Sequence, residues 1–275
     1  MLHRLPNFFI IGAMRAGTTS LWRYLAQHPD IFMSPIKETR FFAVKDLDPA
    51  KIKMMKLHPF WKRSVFNLSE YCRLFQDAKG EQILGEASPV YMVYPHVAPN
   101  IRKLTPHAKI LACLRQPVDR AFSHFQHNRA IGVEKRKEFV EAIYDDVRLN
   151  YAGYYRLGLY AQQLEYYFNL FPRDQIKICY YDHLMKNPGK ILSSIFDFLG
   201  VSTCFKPDIS TIHNKSAAHE PLDIQTKKLL TLLYMQDIKK LEKLTGADLR
   251  TWYTFGPTHH SEQQDMYYSP WYYIH

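Results

Sequence analysis

Short apolar runs alternate along the chain with longer segments in which apolar residues recur at helical spacing. Residues 7–11 (NFFII) form one such run, which is typical of a strand buried on both faces of a parallel sheet. Similar runs predict further strands at 82–86, 109–114 and 175–181. Strands separated by helices predict a three-layer α/β fold, in which helices flank a central parallel sheet. The predicted helices span 18–28, 69–76, 94–104, 117–130, 137–148, 159–170, 188–199 and 223–245.

Two segments do not fit this alternation. Residues 45–66, here called the excursion, mix Lys, Met, His and aromatic residues without a clear period, so they are predicted to be irregular. They either cap a site or form a surface loop. Residues 255–275 are rich in Tyr, His and Trp and show no readable period. We therefore predict one domain over residues 1–254 and an aromatic C-terminal tail over 255–275.

The composition predicts a globular protein with an anionic partner. Hydrophobic residues make up 47% of the 275 positions, and the formal net charge is +10. A nucleotide, another phosphate-rich ligand, nucleic acid or a membrane surface would each complement that charge. A merely basic surface explains it equally well.

The four cysteines do not predict a disulfide or zinc framework. Cys72, Cys113, Cys179 and Cys204 lie far apart and without a C-x-x-C spacing. The chain also shows no leader pattern and no apolar run long enough to span a bilayer. We therefore expect a cytoplasmic protein that binds no membrane.

The turn after the first strand is the first candidate site, because ligands of open parallel sheets bind beyond the carboxyl ends of the strands. Gly12 and Gly17 allow a tight turn and a close approach to a ligand. Residues 18–20 (TTS) open the next helix, where free N–H groups and the helix dipole favour an anion. Arg15 adds a full positive charge. This chemistry predicts a phosphate site, and the alternative is a purely structural turn.

The sequence of this turn differs from that of kinases and ATPases, which read G-x-x-x-x-G-K-[ST]. Here the run is GAMRAGTT, so Thr18 replaces the Lys that contacts the β- and γ-phosphates. The cation lies inside the loop instead, as Arg15. A P-loop kinase or NTPase therefore remains an alternative, although the missing Gly-Lys pair argues against it.

A second stretch, KILACLRQPVDRAFSHF (109–125), carries a matching signal. A buried strand ends at Arg115, and Pro117 suits the first turn of a helix. Ser123 follows eight residues after Arg115. The Arg115 fork and the Ser123 hydroxyl are therefore predicted to bind a second phosphate.

Together these stretches resemble the sulfotransferases that use 3′-phosphoadenosine 5′-phosphosulfate (PAPS). Residues 12–21 are similar to the family's 5′-phosphosulfate loop, G-x-x-K/R-x-G-T-T-x-L, and residues 115–123 to its 3′-phosphate motif, R-x-P-x-x-R-x-x-S. The pattern is closest to the heparan-sulfate-type and bacterial branches, including cyanobacterial natural-product enzymes. Further similarity lies in SPIKETRFF (34–42), GEASPVYM (85–92), GLYAQQLEYYFNLFPRDQIKICYYDHL (158–184) and ADLRTW (247–252).

The resemblance implies a P-loop-NTPase-like sulfotransferase fold over residues 1–254 and PAPS as co-substrate, without a metal. It assigns Arg15 to stabilising the leaving phosphate, and Glu38, in KETRFF, to the general base. An ion pair of Glu38 with Lys37 or Arg40 is the alternative. The implied nucleotide-binding residues are Arg15, Ala16, Gly17, Thr18, Thr19, Ser20, Arg115, Ser123 and, in the stretch HNKSA (213–217), Lys215, with Asn214 a weaker candidate.

The acceptor is expected to be a small molecule or a carrier-bound chain. Several glycosaminoglycan sulfotransferases read E-K-T-P-x-Y where this chain reads EASPVY (86–91), so the substrate-side Lys is absent. Aromatic residues with a few polar groups suit a small-molecule cleft. The predicted acceptor-binding residues are Tyr91, His127, Arg156 and Tyr160; Tyr94, His124 and Tyr154 are further candidates.

Two other functions remain open at this point. A nucleic-acid-binding module would explain the net charge, but no reader motif is present and the cations are spread along the chain. A fold that binds nucleotide without catalysis is the second, and the presence of Glu38 with both phosphate motifs argues against it.

Overall fold

Five parallel strands form one sheet in the order β2-β3-β1-β4-β5. The computed structural model describes residues 4–149, 153–210 and 222–255. Each neighbouring pair of strands is parallel, which confirms the predicted central sheet. The strands are β1 (Phe8–Gly12), β2 (Ile31–Met33), β3 (Ile83–Ala87), β4 (Lys109–Leu114) and β5 (Ile176–Tyr180).

Helices cover both faces of this sheet. In chain order they are α1 (Thr18–Leu25), α2 (Phe41–Val44), α3 (Pro49–Leu57), α4 (Leu68–Arg73), α5 (Val97–Leu104), α6 (Pro117–Ala130), α7 (Phe139–Leu149), α8 (Tyr160–Phe168), α9 (Tyr181–Lys186), α10 (Pro188–Leu199), α11 (Ile224–Thr231) and α12 (Met235–Thr245). None of the helices within the described ranges combines the length and apolar character needed to cross a bilayer.

The side chains of β1 alternate between two apolar cores. Phe9 and Ile11 pack into a core with residues of α5, α6, α8 and α12. Phe8 and Ile10 pack on the opposite face with residues of α1 and α10. All five residues of β1 are buried, as expected for a strand covered on both faces. The three layers of the predicted α/β fold are therefore confirmed.

Three elements differ from the prediction. β2 has only three residues, which is too short to give a readable period. The strand predicted to reach residue 181 ends at Tyr180, and α9 begins at the next residue. The single helix predicted over 223–245 is wrong, because a 3-10 turn at 232–234 separates α11 from α12. In that turn, Tyr234 is buried and its hydroxyl donates to the Tyr154 carbonyl at 3.2 Å.

The excursion is not irregular throughout, because it contains α3. The Asp48 side chain caps α3 by accepting a hydrogen bond from the backbone N–H of Lys51 at 2.9 Å. Pro49 occupies the first turn, where its missing N–H costs nothing. None of the nine residues of α3 is buried, so its weak apolar period reflects a helix that lies on the surface.

Candidate active site

The turn between β1 and α1 presents backbone N–H groups at the carboxyl edge of the sheet. Gly17 precedes α1 with a φ of +83°, which favours glycine, and a Cβ there would lie 3.1 Å from Cδ2 of Tyr181. Arg15 also adopts a left-handed backbone, with a φ of +67°. The first turn of α1 contains no acidic residue, and no side chain of the described residues caps it. An anion would therefore be stabilised at this helix end.

The other residues predicted in this turn shape its backbone. Ala16 and Thr18 are buried, and Thr19 is half-buried. Ser20 is buried as well, and its side chain is hydrogen bonded to that of Tyr24. The segment 16–20 is thus packed closely at the start of α1.

Two hydrogen bonds join this turn to the second predicted phosphate motif. The Nε of Arg15 donates to the Oγ of Ser123 in α6 at 3.3 Å. The Nη1 of Arg115, directly after β4, donates to the carbonyl oxygen of Arg15 at 3.4 Å. Residues about a hundred positions apart in the sequence therefore form one cationic surface.

Two tyrosines hold Arg115 in place. Its guanidinium lies 4.6 Å from the ring centroid of Tyr181, the first residue of α9. The hydroxyl of Tyr160 donates to the Arg115 carbonyl oxygen at 2.9 Å. A cation stacked on a tyrosine face loses little freedom when it binds an anion, so this arrangement favours phosphate binding.

The local charge favours an anion between these two arginines. Burial lowers the pKa of Arg15, and the nearby positive charge of Arg115 lowers it further. Arginine stays charged even so. Two cations held close together without a bound anion repel one another, and a phosphate group between them would relieve that repulsion.

Glu38 lies in a strained loop after β2 that faces the same edge of the sheet. Glu38 and Arg40 have φ values of +64° and +53°, in a region that non-glycine residues rarely adopt. The backbone N–H of Glu38 donates to the carbonyl of Ala87 at 2.8 Å. The Nζ of Lys37 lies 2.8 Å from Oε1 of Glu38, and Nη2 of Arg40 pairs with Oε2. The alternative weighed from the sequence, an ion pair with Lys37 or Arg40, is therefore present with both.

These ion pairs control the ionisation of Glu38. Burial alone would raise its pKa, but the charges and hydrogen bonds of Lys37 and Arg40 outweigh burial and lower it. The carboxylate is thus ionised at neutral pH while its side chain remains 33% exposed. The pKa of His127, one turn after Ser123, is lowered by partial burial and by the charge of Arg15, and the charge of Glu38 only partly offsets these effects.

A buried carboxylate anchors the loop that carries Glu38. Glu86, at 0% exposure in β3, accepts hydrogen bonds from Thr39 Oγ1 at 2.6 Å, Ser88 Oγ at 2.5 Å and Tyr91 OH at 3.1 Å. The hydroxyl of Tyr71 also donates to it. Burial raises the pKa of Glu86, and the four hydroxyl donors oppose that rise.

The same network binds the backbone that follows Thr39. The N–H of Arg40 donates to Ser88 Oγ at 3.1 Å, and the N–H of Phe42 donates to Tyr91 OH at 3.1 Å. The positions of Glu38 and Arg40 are therefore determined by hydrogen bonds that converge on Glu86.

The four predicted acceptor-binding residues occupy different environments. Tyr91 is fully buried in the Glu86 network, and Tyr160 is fully buried beside Arg115. Both hydroxyls form hydrogen bonds inside the protein, so each tyrosine stabilises the site rather than facing a ligand. His127 is exposed on α6, and Arg156 is exposed in a 3-10 turn that begins at that residue. These two side chains are open to solvent and stay predicted contacts of the acceptor.

The remaining aromatic candidates for acceptor binding pack against other rings of the protein. Tyr94 is half-buried, with its ring 5.9 Å from that of Trp61. His124 is 8% exposed, and its ring lies 5.1 Å from that of Tyr154. Burial lowers the pKa of His124 well below its ordinary value, and nearby cations, Arg120 first, lower it further. His124 is therefore neutral and contributes packing.

Sequence reasoning missed several residues of this region. Tyr181 lies in a quoted stretch, but no motif signals that its ring faces Arg115. Glu86 was noticed only as the end of a strand, although a charged residue after an apolar run is itself a signal of a buried polar contact. Lys215 and Asn214 lie outside the described residues.

Comparison with known proteins identifies the family. A family model described as "Sulfotransferase family" matches residues 6–206, which is most of the chain. This chain belongs to the sulfotransferase family. The crystal structure of a sulfotransferase from Alicyclobacillus acidocaldarius superimposes with a TM-score of 0.77 and 35% identity, covering 90% of this chain and 99% of that one. The resemblance to sulfotransferases that the two phosphate motifs indicate is therefore confirmed.

More distant sulfotransferases show the same relationship. The membrane-associated sulfotransferase kil1 of Dictyostelium discoideum is 24% identical over 90% of this chain. The human bifunctional heparan sulfate N-deacetylase/N-sulfotransferase 2 is 27% identical over 72% of it. The chain spans 66% and 22% of the lengths of these two relatives, respectively. A sulfotransferase domain from the curacin biosynthetic pathway shares the fold, with a TM-score of 0.51 and 18% identity.

Proposed function

We propose that this sulfotransferase transfers a sulfuryl group from PAPS to a hydroxyl or amine of a small-molecule or carrier-bound acceptor. The observation that carries the proposal is the junction of Arg15, Ser123 and Arg115. Hydrogen bonds of 3.3 Å and 3.4 Å join two anion-binding segments into one surface. A nucleotide with phosphates at both its 3′ and 5′ positions complements such a surface, whereas an ordinary triphosphate needs only one of the segments.

Each segment would bind one end of the nucleotide. The N–H groups of residues 16–20 and the Arg15 guanidinium would bind the 5′-phosphosulfate, since they combine a helix N-terminus with a full charge. Arg115 and Ser123 would bind the 3′-phosphate. Lys215 would be a further contact of the nucleotide, as the family resemblance implies.

The reaction requires charge stabilisation at one oxygen and proton removal at another. As the acceptor oxygen or nitrogen bonds to sulfur, the bond from sulfur to the phosphate oxygen breaks. Negative charge grows on that oxygen, and Arg15 would stabilise it. The acceptor proton passes to Glu38, which is ionised and one-third exposed. The products are the sulfated acceptor, the bisphosphate and protonated Glu38, which then releases its proton.

We expect the acceptor to approach from the exposed side of Glu38, with His127 and Arg156 as its further contacts. Ala87 stands where several glycosaminoglycan enzymes carry a Lys, and it is 0% exposed. The next residue, Ser88, directs its hydroxyl to buried Glu86. This part of the site therefore offers no cation to a polyanionic sugar, which favours a small or carrier-bound acceptor.

Ligand-induced stabilisation tests the nucleotide assignment. Adenosine 3′,5′-bisphosphate without Mg²⁺ should raise the melting temperature of the purified protein; at a hundredfold excess over Kd the gain is about 2.7 kcal/mol. Arg15→Ala and Arg115→Ala should remove most of that gain, whereas Arg148→Ala, on the exposed side of α7, should retain it. Stabilisation by Mg²⁺-ATP alone would refute the assignment. Incubation with PAPS and candidate acceptors, followed by mass spectrometry, should then reveal the gain of one sulfuryl group.

A further inference from the structure

The excursion places an unusual surface beside the candidate active site. Leu57 and Met54 are 81% and 72% exposed, more than any other large hydrophobic side chain among the described residues. They lie three residues apart in α3, hence on the same side of the helix. Met55 packs against the core, but no side chain of this nine-residue helix is buried, and helical stability comes mainly from packing an apolar face. This face is therefore suited to a partner.

Positive charge surrounds these two side chains. Residues 45–63 contain six Lys or Arg residues and two Asp residues. Each Asp is already paired: Asp46 with Lys45 at 2.7 Å and Asp48 with Lys51 at 3.4 Å. The other four cations have no carboxylate partner within the described ranges, and all four are exposed. They are Lys53, Lys56, Lys62 and Arg63.

This surface is attached rigidly to the loop that carries Glu38. The Arg40 guanidinium, which pairs with Glu38, lies 4.1 Å from the ring centroid of Phe60 and donates to the Phe60 carbonyl. The N–H of Val65 donates to the Thr39 carbonyl at 2.8 Å. Whatever binds the excursion is therefore held at a fixed orientation to the acceptor side of the site.

We propose that α3 and the turn after it, residues 49–63, dock onto an anionic lipid surface. Exposed Met and Leu side chains would enter the boundary between headgroups and acyl chains, and the unpaired cations would contact the headgroups. An acidic protein is the less suitable partner, because protein interfaces are depleted in Lys. Three of the four unpaired cations are Lys. This inference goes beyond the proposed function and differs from the expectation of no membrane partner.

Vesicle co-sedimentation of the full chain tests the proposal. The wild-type protein should bind vesicles of equimolar phosphatidylserine and phosphatidylcholine at least about tenfold more tightly than pure phosphatidylcholine vesicles, and added salt should weaken that binding. Lys53→Glu/Lys62→Glu and, separately, Met54→Ser/Leu57→Ser should each reduce binding about tenfold or more. Every substituted residue is exposed, so the fold is not at risk.

Matched substitutions on other surfaces are the controls. Lys186→Glu/Lys190→Glu and Leu229→Ser/Leu232→Ser also alter exposed pairs, and both should bind like the wild type. If the control variants lose as much vesicle binding as the excursion variants, the effect is a general one and the proposal is overturned. The proposal is also overturned if the wild-type protein binds anionic vesicles no more tightly than neutral ones. Because the readout does not involve turnover, it is independent of whether the protein uses PAPS.

Discussion

The Nε of Arg15 donates a hydrogen bond to the Oγ of Ser123, 3.3 Å away, and so links the turn after β1 to α6. Loss of this hydroxyl should weaken binding of adenosine 3′,5′-bisphosphate, because Ser123 both positions Arg15 and faces the 3′-phosphate in the proposed complex. We expect Ser123→Ala to raise Kd about tenfold, or about 1.4 kcal/mol, by titration calorimetry. Ser194→Ala, exposed on α10, is the control. An unchanged Kd in Ser123→Ala would contradict this role.

The face of Tyr181 should matter more than its hydroxyl. The Arg115 guanidinium lies 4.6 Å from this ring, so Tyr181→Phe keeps the contact and Tyr181→Leu removes it. We expect the Leu variant to bind the bisphosphate roughly fivefold to tenfold more weakly, and the Phe variant within about twofold of the wild type. Equal losses in both would instead assign the effect to the hydroxyl.

Lys37→Gln should move the acid limb of the pH–rate profile to higher pH. Burial raises the pKa of Glu38, but Lys37 is the leading cause that lowers it, and the balance is a lowered pKa. Glu38 must be deprotonated to accept the acceptor's proton, so its pKa sets the pH below which the rate falls. Removing the Lys37 charge raises that pKa and shifts the limb upward. The measurement is kcat/KM against pH, and Lys45→Gln, which loses only the pair with Asp46, should leave the limb in place.

Glu86→Gln should slow turnover while sparing nucleotide binding. The carboxylate accepts four hydroxyl hydrogen bonds, whereas an amide has one acceptor oxygen, so the loop around Thr39 must shift. A small displacement of a catalytic group costs up to about a hundredfold in rate. We expect kcat to fall at least about tenfold, with the melting-temperature gain from bisphosphate unchanged. Tyr71→Phe, which removes one donor, should have a smaller effect on kcat.

His124 should make the fold less stable in mild acid. Its pKa is lowered well below the ordinary value in the fold, chiefly by burial, so the unfolded chain gains a proton near pH 6.5 that the folded chain does not. The folded protein therefore has its full stability above the pKa that His124 has in the unfolded chain. As the pH falls below that pKa, the free energy of unfolding decreases by up to about 1.4 kcal/mol per pH unit.

Urea unfolding at several pH values measures this loss. His124→Phe, which keeps an aromatic ring against Tyr154, should flatten the dependence between about pH 7 and pH 5.5. The control is the exposed residue His107, and His107→Phe should leave the slope close to that of the wild type. If the His124→Phe variant kept the wild-type dependence of unfolding free energy on pH, His124 would not be the cause of the loss of stability in acid.

The sequence was sufficient to predict four of the five strands and the two segments that we propose bind phosphate. Local rules decide them: the apolar run of β1, the glycines around Arg15, and Pro117 at the start of α6 each act within a few residues. Arg15 and Arg115 also follow strands that are neighbours in the sheet, so the topology brings them together once the fold is known.

The contacts that orient the site could not be predicted in the same way. Tyr91 and Tyr160 were expected to contact the acceptor, but the direction of a tyrosine depends on partners far away in the chain. For Tyr91 that partner is buried Glu86, and for Tyr160 it is the carbonyl of Arg115. Likewise, α3 was missed because none of its residues is buried, although the Asp48-Pro49 pair marks its start.

Side chains beyond the ends of all five strands meet at this edge: Glu38 after β2, Ser88 after β3, Arg15 after β1, Arg115 after β4 and Tyr181 after β5. A slip of one residue between any two strands would displace one of these groups by about 3.3 Å. The register of the sheet therefore fixes how far apart these five groups lie, whereas the segments between strands, such as the excursion, can change in length without moving them.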